Sequence, residues 1–156
     1  KNIIHVTGDM NYTASLERLN GFVRAMRDSH IPITADSILY ADFFEESAYR
    51  QITGLLDRDI HPDAVFAGAD KTAYGVLRAL MNAGISIPGE TAVIGFDDDT
   101  PDSRDIIFPG LSTMRQPMYE MGCAAVELLL AAIRDPAHQP ETRCFQPQLI
   151  LRETCK

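Results

Sequence analysis

Short apolar runs rich in β-branched and aromatic residues alternate along the chain with longer segments whose apolar residues recur every three to four positions. The first pattern marks buried strands and the second amphipathic helices, and their regular alternation is the form taken by βαβ units around a parallel sheet. Ile3 to Thr7 (IIHVT) reads as the first strand. A helix over 15–29 follows, with Leu16, Leu19, Phe22, Val23 and Met26 on one face and Pro32 as its stop. Ser37 to Ala41 is the second strand, and 47–58 the second helix, with Ala48, Ile52, Leu55 and Leu56 at core-facing spacing. The third strand is Ala64 to Ala67. The third helix, over 71–82, turns Ala73, Val76, Leu77 and Leu80 inward and ends at Gly84, where glycine takes a left-handed conformation at little cost.

TAVIGF (91–96) is the fourth strand, and three aspartates, Asp97, Asp98 and Asp99, follow it at once. Leu111 to Arg115 reads as a short strand, and Pro117 suits the first turn of a helix over 118–134. The apolar residues of that helix, among them Met118, Met121, Val126, Leu129 and Ile133, cover more than one face, so burial against more than one neighbour is expected. A loop over 135–139 and an edge strand over Phe145 to Leu151 complete the chain; Pro147, which cannot donate to a ladder, argues for the edge.

Composition narrows the class. The 156 residues are 46% hydrophobic and 23% charged, enough for one globular core without metals or disulfides. Acidic residues number 22 against 14 Lys plus Arg, a net charge of −8, which is the wrong sign for gripping phosphates, so this segment by itself is not expected to hold DNA. The longest apolar stretch, Ala124 to Ile133, contains Glu127 and falls well short of the roughly 20 residues that span a bilayer. Residues 1–10 lack the apolar core of a secretion signal, and without an initiator methionine Lys1 is not expected to be the natural start. Cys123, Cys144 and Cys155 form neither a CxxC pair nor a zinc knuckle, which favours a reducing, cytoplasmic setting.

Ligands of open parallel sheets bind beyond the carboxyl ends of the strands. Strand one is followed by Asp9, Asn11, Tyr12 and Thr13, with Arg18 one turn into the helix. Strand two is followed by Asp42, Phe43 and Phe44, strand three by Ala69 and Asp70, and strand four by the aspartate run. A guanidinium, an aromatic pair and several carboxylates on one rim are what a polyhydroxylated ligand needs. Taken singly each has a plain structural role: Asp42 and Asp70 as helix caps, Asp97 to Asp99 as a solvated turn, Arg18 as a surface ion-pair partner, Phe43 as core. Only their joint placement favours binding. Phosphate-binding loops, GxSxG and HExxH are absent, and His5, His30, His61 and His138 are scattered and read as structural. The chain is therefore expected to be no enzyme, with no cofactor and no metal. Magnesium at the aspartate run is a poor third reading, since no catalytic partner stands ready to use it.

Three stretches together, IIHVTGDMNYTASLERLNGFVRAM (3–26), PDAVFAGADKTAYGVLRALMNAGISIPGETAVIGFDD (62–98) and PGLSTMRQPMYEMGCAAVELLLAAI (109–133), resemble the LacI/GalR family of bacterial transcription regulators. The closing LILRETC resembles the family's terminal strand. The resemblance implies an α/β fold, a Rossmann-like parallel-sheet sandwich forming the second lobe of a core of the type I periplasmic-binding-protein kind. It implies that 1–110 form the C-terminal lobe, that the strand and helix over 111–134 return to an absent N-terminal lobe, and that 135–156 are a loop and the last edge strand. It further implies a small polar effector, a sugar or sugar derivative, gripped by Arg18 and Asp97, with Phe43 stacking on it. Gln116, Tyr12, Thr13 and Asp70 would lie around the same site. A homodimer with Tyr74, Leu77 and Ile107 near its interface, and DNA contact only through an absent helix-turn-helix headpiece, also follow from the resemblance. Many members carry Asn-Asp where this chain has Ala69-Asp70, so the effector need not be that of the sugar-binding members. The competing reading is a periplasmic sugar receptor of the same fold that feeds a transporter.

Overall fold

A computed structural model describes residues 1–99, 110–135 and 137–155. Its elements follow the alternation of the sequence: β1 (Ile3–Val6), α1 (Thr13–Asp28), β2 (Ile38–Leu39), α2 (Glu45–Leu56), β3 (Ala64–Ala67), α3 (Asp70–Asn82), β4 (Ala92–Asp97), β5 (Ser112–Arg115), α4 (Met118–Arg134) and β6 (Gln148–Ile150). They form one six-stranded sheet in the order β2-β1-β3-β4-β5-β6. All neighbours are parallel except β6, which runs antiparallel to β5 at the edge. The architecture is the expected α/β sandwich on a mostly parallel sheet. Strands two and six are shorter than the apolar runs that contain them, two and three residues long, because each has a ladder partner on one side only.

Strand alternation divides the sheet into two faces. Ile4, Val6, Val65, Ala67 and Val93 turn to one face, where Ala48, Ile52 and Leu55 of α2 and Ala73, Val76, Leu77 and Leu80 of α3 meet them in a dry core. Here the helical stripes hold, apart from Leu56, which is only partly buried. Gly75 lets α3 lie directly on α2: a Cβ there would come within 2.1 Å of the Glu45 carbonyl oxygen. Gly75→Ala is therefore expected to force the helices apart and to lower stability by roughly 1–3 kcal/mol in urea unfolding. His5 and Phe66 turn to the other face, stacked with centroids 4.7 Å apart, and Phe22 of α1 packs over His5 at 5.3 Å. The α1 stripe is narrower than its periodicity predicts. Phe22 and Met26 are buried, but Leu16 is 45% exposed, because α1 covers only part of this face.

Leu77 is 0% exposed inside the core, so its expected place at a dimer interface is corrected: a side chain sealed between α3 and the sheet cannot meet a partner. Ile107 lies outside the described residues. The segment expected to leave this body from Leu111 instead begins with β5, which four register pairs hold against β4. Helix α4 has a single buried residue, Ala124, while Met118, Val126, Leu129 and Ile133 stand 57–68% exposed. No helix among the described residues is long and apolar enough to cross a membrane.

Candidate effector site

Because β1 to β5 are parallel, Val6, Leu39, Ala67, Asp97 and Arg115 end at one edge, and the loops behind them converge there. Arg18 sits in the second turn of α1, and helical side chains lean toward their own N-terminus, which carries this guanidinium back to the same edge. One of its terminal nitrogens donates to the Gly68 carbonyl at 2.6 Å and the other to Asp97 Oδ1 at 3.2 Å. Its carbon lies 3.9 Å above the centre of the Phe96 ring. Gln116, just past β5, donates its amide to the same Asp97 oxygen at 2.7 Å. Arg18, Asp97 and Gln116, from three separate stretches of sequence, therefore form one group, and the idea of Arg18 as an ordinary surface arginine is corrected. Its side chain is 14% exposed. Burial raises the Asp97 carboxyl above its ordinary value, while Arg18 and the Gln116 amide pull it back down.

Tyr12 and Phe43 meet edge to face, centroids 5.9 Å apart. Phe43 lies over Gly8, where a Cβ would come within 1.9 Å of its ring, and its backbone φ is 67°, a left-handed conformation unusual for an aromatic residue. The ring is thus neither core nor free surface. Tyr12 is 60% exposed, and Thr13, the first residue of α1, is also exposed. Asp42 keeps a local role, its carboxylate accepting from the Phe44 amide at 3.1 Å just ahead of α2.

Asp70 is not the cap its position suggests. The N-cap of α3 is Ala69, and no side chain caps the helix. The Asp70 carboxylate instead turns inward, 3% exposed, accepting from the Thr113 hydroxyl at 2.6 Å and the Asp99 amide at 2.9 Å. Gly95 makes room for it, since a Cβ there would fall 2.2 Å from Asp70 Oδ1. Desolvation raises its pKa to about 6 against the pull of Thr113 and the Asp99 amide, and Asp97 and Asp99 push it the same way as burial. Asp70 ties α3 to β5 and to the turn after β4; it is not among the groups that Arg18 hydrogen-bonds.

The aspartate run does not converge on a point where a cation could sit. Asp97 faces Arg18 and Gln116, Asp98 faces Arg115 and Arg152, and the Asp99 backbone binds Asp70. Among the described residues no group of three or more His, Cys, Asp or Glu side chains is arranged to hold a metal ion. His5 is buried: desolvation lowers its pKa, the Phe66 carbonyl contact at 2.9 Å opposes this, and Arg18 adds to the lowering.

Among the described residues Gln116 borders three cavities, two of them large. One, of about 640 Å³, is lined by Arg18 and Gln116 but otherwise mainly by apolar Phe22, Ala25, Phe66 and Phe96. The other, of about 590 Å³, is polar and lies between the aspartate run, Arg115 and the start of α4. Neither includes Tyr12, Thr13 or Phe43. Gly8 and Phe96 shape the site without having stood out in the sequence. The glycine closing a strand, ahead of a contact loop, was the available signal for Gly8.

A family model described as a periplasmic binding protein-like domain matches residues 1–155. The chain is 33% identical over its whole length to the HTH-type transcriptional repressor PurR of Actinobacillus pleuropneumoniae serotype 3 (strain JL03), covering 46% of that protein. It is 32% identical over 96% of its length to the ribose operon repressor of Haemophilus influenzae, covering 44% of it. Among solved structures, the complex of the transcriptional regulator CelR with cellobiose is 28% identical over 98% of this chain and 46% of its own, with a TM-score of 0.86. The chain thus spans about half the length of the curated relatives it matches. These relatives are repressors rather than enzymes, in agreement with the absence of catalytic motifs. With a matched domain over nearly all of its length and repressors as its relatives, the chain belongs to the periplasmic-binding-protein-like family as an effector-binding core of the LacI/GalR kind.

Proposed function

We propose that the chain senses a small polar effector, a sugar or sugar derivative, for a cytoplasmic LacI-type transcription regulator. The observation that carries this is the meeting of Arg18, Asp97 and Gln116 at one sheet edge, with the Tyr12–Phe43 ring pair on the same rim. Carboxylate, amide and guanidinium offer paired donors and acceptors to adjacent hydroxyls, and an aromatic ring covers the apolar face of a sugar. The cellobiose carried by the CelR structure supports this ligand class.

Residues 1–110 serve as the C-terminal lobe, extended by β5. The bare apolar faces of α4 support its packing on a second lobe, beyond which a helix-turn-helix headpiece reads DNA. Beyond α4 the chain returns to β6, which closes the C-terminal lobe. An effector spanning the two lobes favours one of their orientations by its differential affinity, and a homodimer transmits that choice to the operator. Tyr74, partly buried on α3, stays a candidate for the dimer contact.

The charge of Arg18 is already balanced by Asp97, and Arg115 and Arg152 are both engaged by Asp98. The site therefore favours neutral over phosphorylated sugars. Calorimetric titration with ribose, cellobiose and other neutral mono- and disaccharides, each paired with its phosphate ester, tests this. A neutral sugar is expected to bind at least tenfold more tightly than its ester. Tighter binding of an ester overturns the neutral specificity, and a panel in which nothing binds overturns the sugar reading.

A further inference from the structure

Consecutive aspartates at the end of β4 hold consecutive residues at the end of β5. Asp97 takes the Gln116 amide at 2.7 Å, while Asp98 takes the Nε of Arg115. Both aspartates have left-handed backbones, φ 117° and 56°, so their carboxylates diverge although they are neighbours. Asp98 also accepts from Arg152, just past β6, at 2.7 Å, and its side chain is only 10% exposed. Arg152 in turn donates to the Leu111 carbonyl at 2.7 Å, and its backbone exchanges two hydrogen bonds with the Ser112 hydroxyl. Burial opposes the charge on Asp98, but the hydrogen bonds from Arg152 and Arg115 outweigh it and hold the carboxyl below its ordinary value.

We propose that Asp98 is the coupling residue of this site: with Arg115 and Arg152 it clamps the chain leading into α4, and the chain returning through β6, to the turn that carries Asp97. Gln116 is the shared piece. It lies next to the clamped Arg115 and binds the carboxylate that faces Arg18, and Pro117 and α4 follow directly. A ligand that draws Asp97 or Gln116 therefore turns the exit segment against a fixed point, and α4 moves with it. The inference rests on reading the Arg18–Asp97–Gln116 group as the effector site, and it makes Asp98 a positioning residue with no ligand contact of its own.

The test needs no ligand, so its failure is separate from a failed sugar titration. In a Cys144→Ser, Cys155→Ser background, spin labels on Cys123 of α4 and on a cysteine replacing the exposed Arg24 of α1 report the direction of α4 as a distance distribution. A pair at positions 24 and 50, in a background that also carries Cys123→Ser, reports the body. Asp98→Asn is expected at least to double the width for the α4 pair and leave the body pair unchanged, and Asp98→Glu to restore most of the narrow distribution. Asp97→Asn is expected to shift the α4 pair, and the double variant Asp97→Asn/Asp98→Asn to be no wider than Asp98→Asn alone. Arg152→Gln gives an independent loss of the clamp should Asp98→Asn fold poorly. A parent distribution already as broad as that of the variants, equal broadening of the body pair, or an α4 pair indifferent to Asp97→Asn overturns the coupling.

Discussion

Asp97→Ala is expected to weaken binding of a neutral sugar effector by roughly 100-fold, about 3 kcal/mol, while changing stability by no more than about 1 kcal/mol. The carboxylate holds both Arg18 and Gln116, so its loss frees two ligand-facing side chains at once. Arg18 keeps the Gly68 carbonyl and the Phe96 ring, and the α2–α3 core does not reach Asp97, which is why the fold survives. Asp97→Gly separates the two effects further. At φ 117° a residue without Cβ is unstrained, so the glycine variant should bind as poorly as alanine yet be the more stable of the two. Calorimetry with a sugar that binds the parent chain, alongside urea unfolding, reads both quantities; unchanged affinity in either variant would remove Asp97 from the site.

The second large effect is a pH dependence centred on Asp70. Its folded pKa of about 6 exceeds the ordinary 3.8, so the folded state binds the extra proton between those values and stability falls as pH rises through that window. The contribution is fully present below about pH 4 and lost above about pH 6. A rise of this size corresponds to about 3 kcal/mol. Asp70→Asn removes the titration while leaving an oxygen for the Thr113 hydroxyl. The stability of the variant relative to the parent is therefore expected to climb by about 3 kcal/mol between pH 4 and pH 7 in urea unfolding. A constant difference across that range would show that Asp70 is ionised in the fold at no cost. Asp98 acts with the opposite sign: its lowered pKa means that its arginine contacts weaken only as the solution becomes strongly acidic.

Much of the candidate site was legible because parallel strands force their following loops to one edge, so a list of strand-end residues is already a list of neighbours. Arg18 and Asp97 stood on that list, and the family resemblance pointed to them as well; Gln116 came from the resemblance alone. Asp70 was misread as a cap because position alone cannot say whether a carboxylate at a helix start turns to its own amides or into the sheet. The room left by Gly95, on the next strand and 25 residues further along the chain, decides it. Helical spacing places Leu77 in the core, where it lies; its interface role came from the family resemblance alone, and fails because the face of α3 that carries it is sealed in the core.

The sequence by itself determined the class of fold, the order of its elements and the inner face of α2 and α3, because hydrophobic period and strand–helix alternation are local properties that burial must respect. It also determined the acidic balance of the chain and the residue types gathered at the carboxyl edge. Only the tertiary structure decided which aspartate meets which partner. Two consecutive left-handed backbones send Asp97 to Arg18 and Asp98 to Arg115 and Arg152, residues up to 79 positions apart. Only the tertiary structure also decided that β5 stays in this sheet while α4 leaves it, because ladder pairing with β4 and β6 is a long-range choice that no local periodicity encodes.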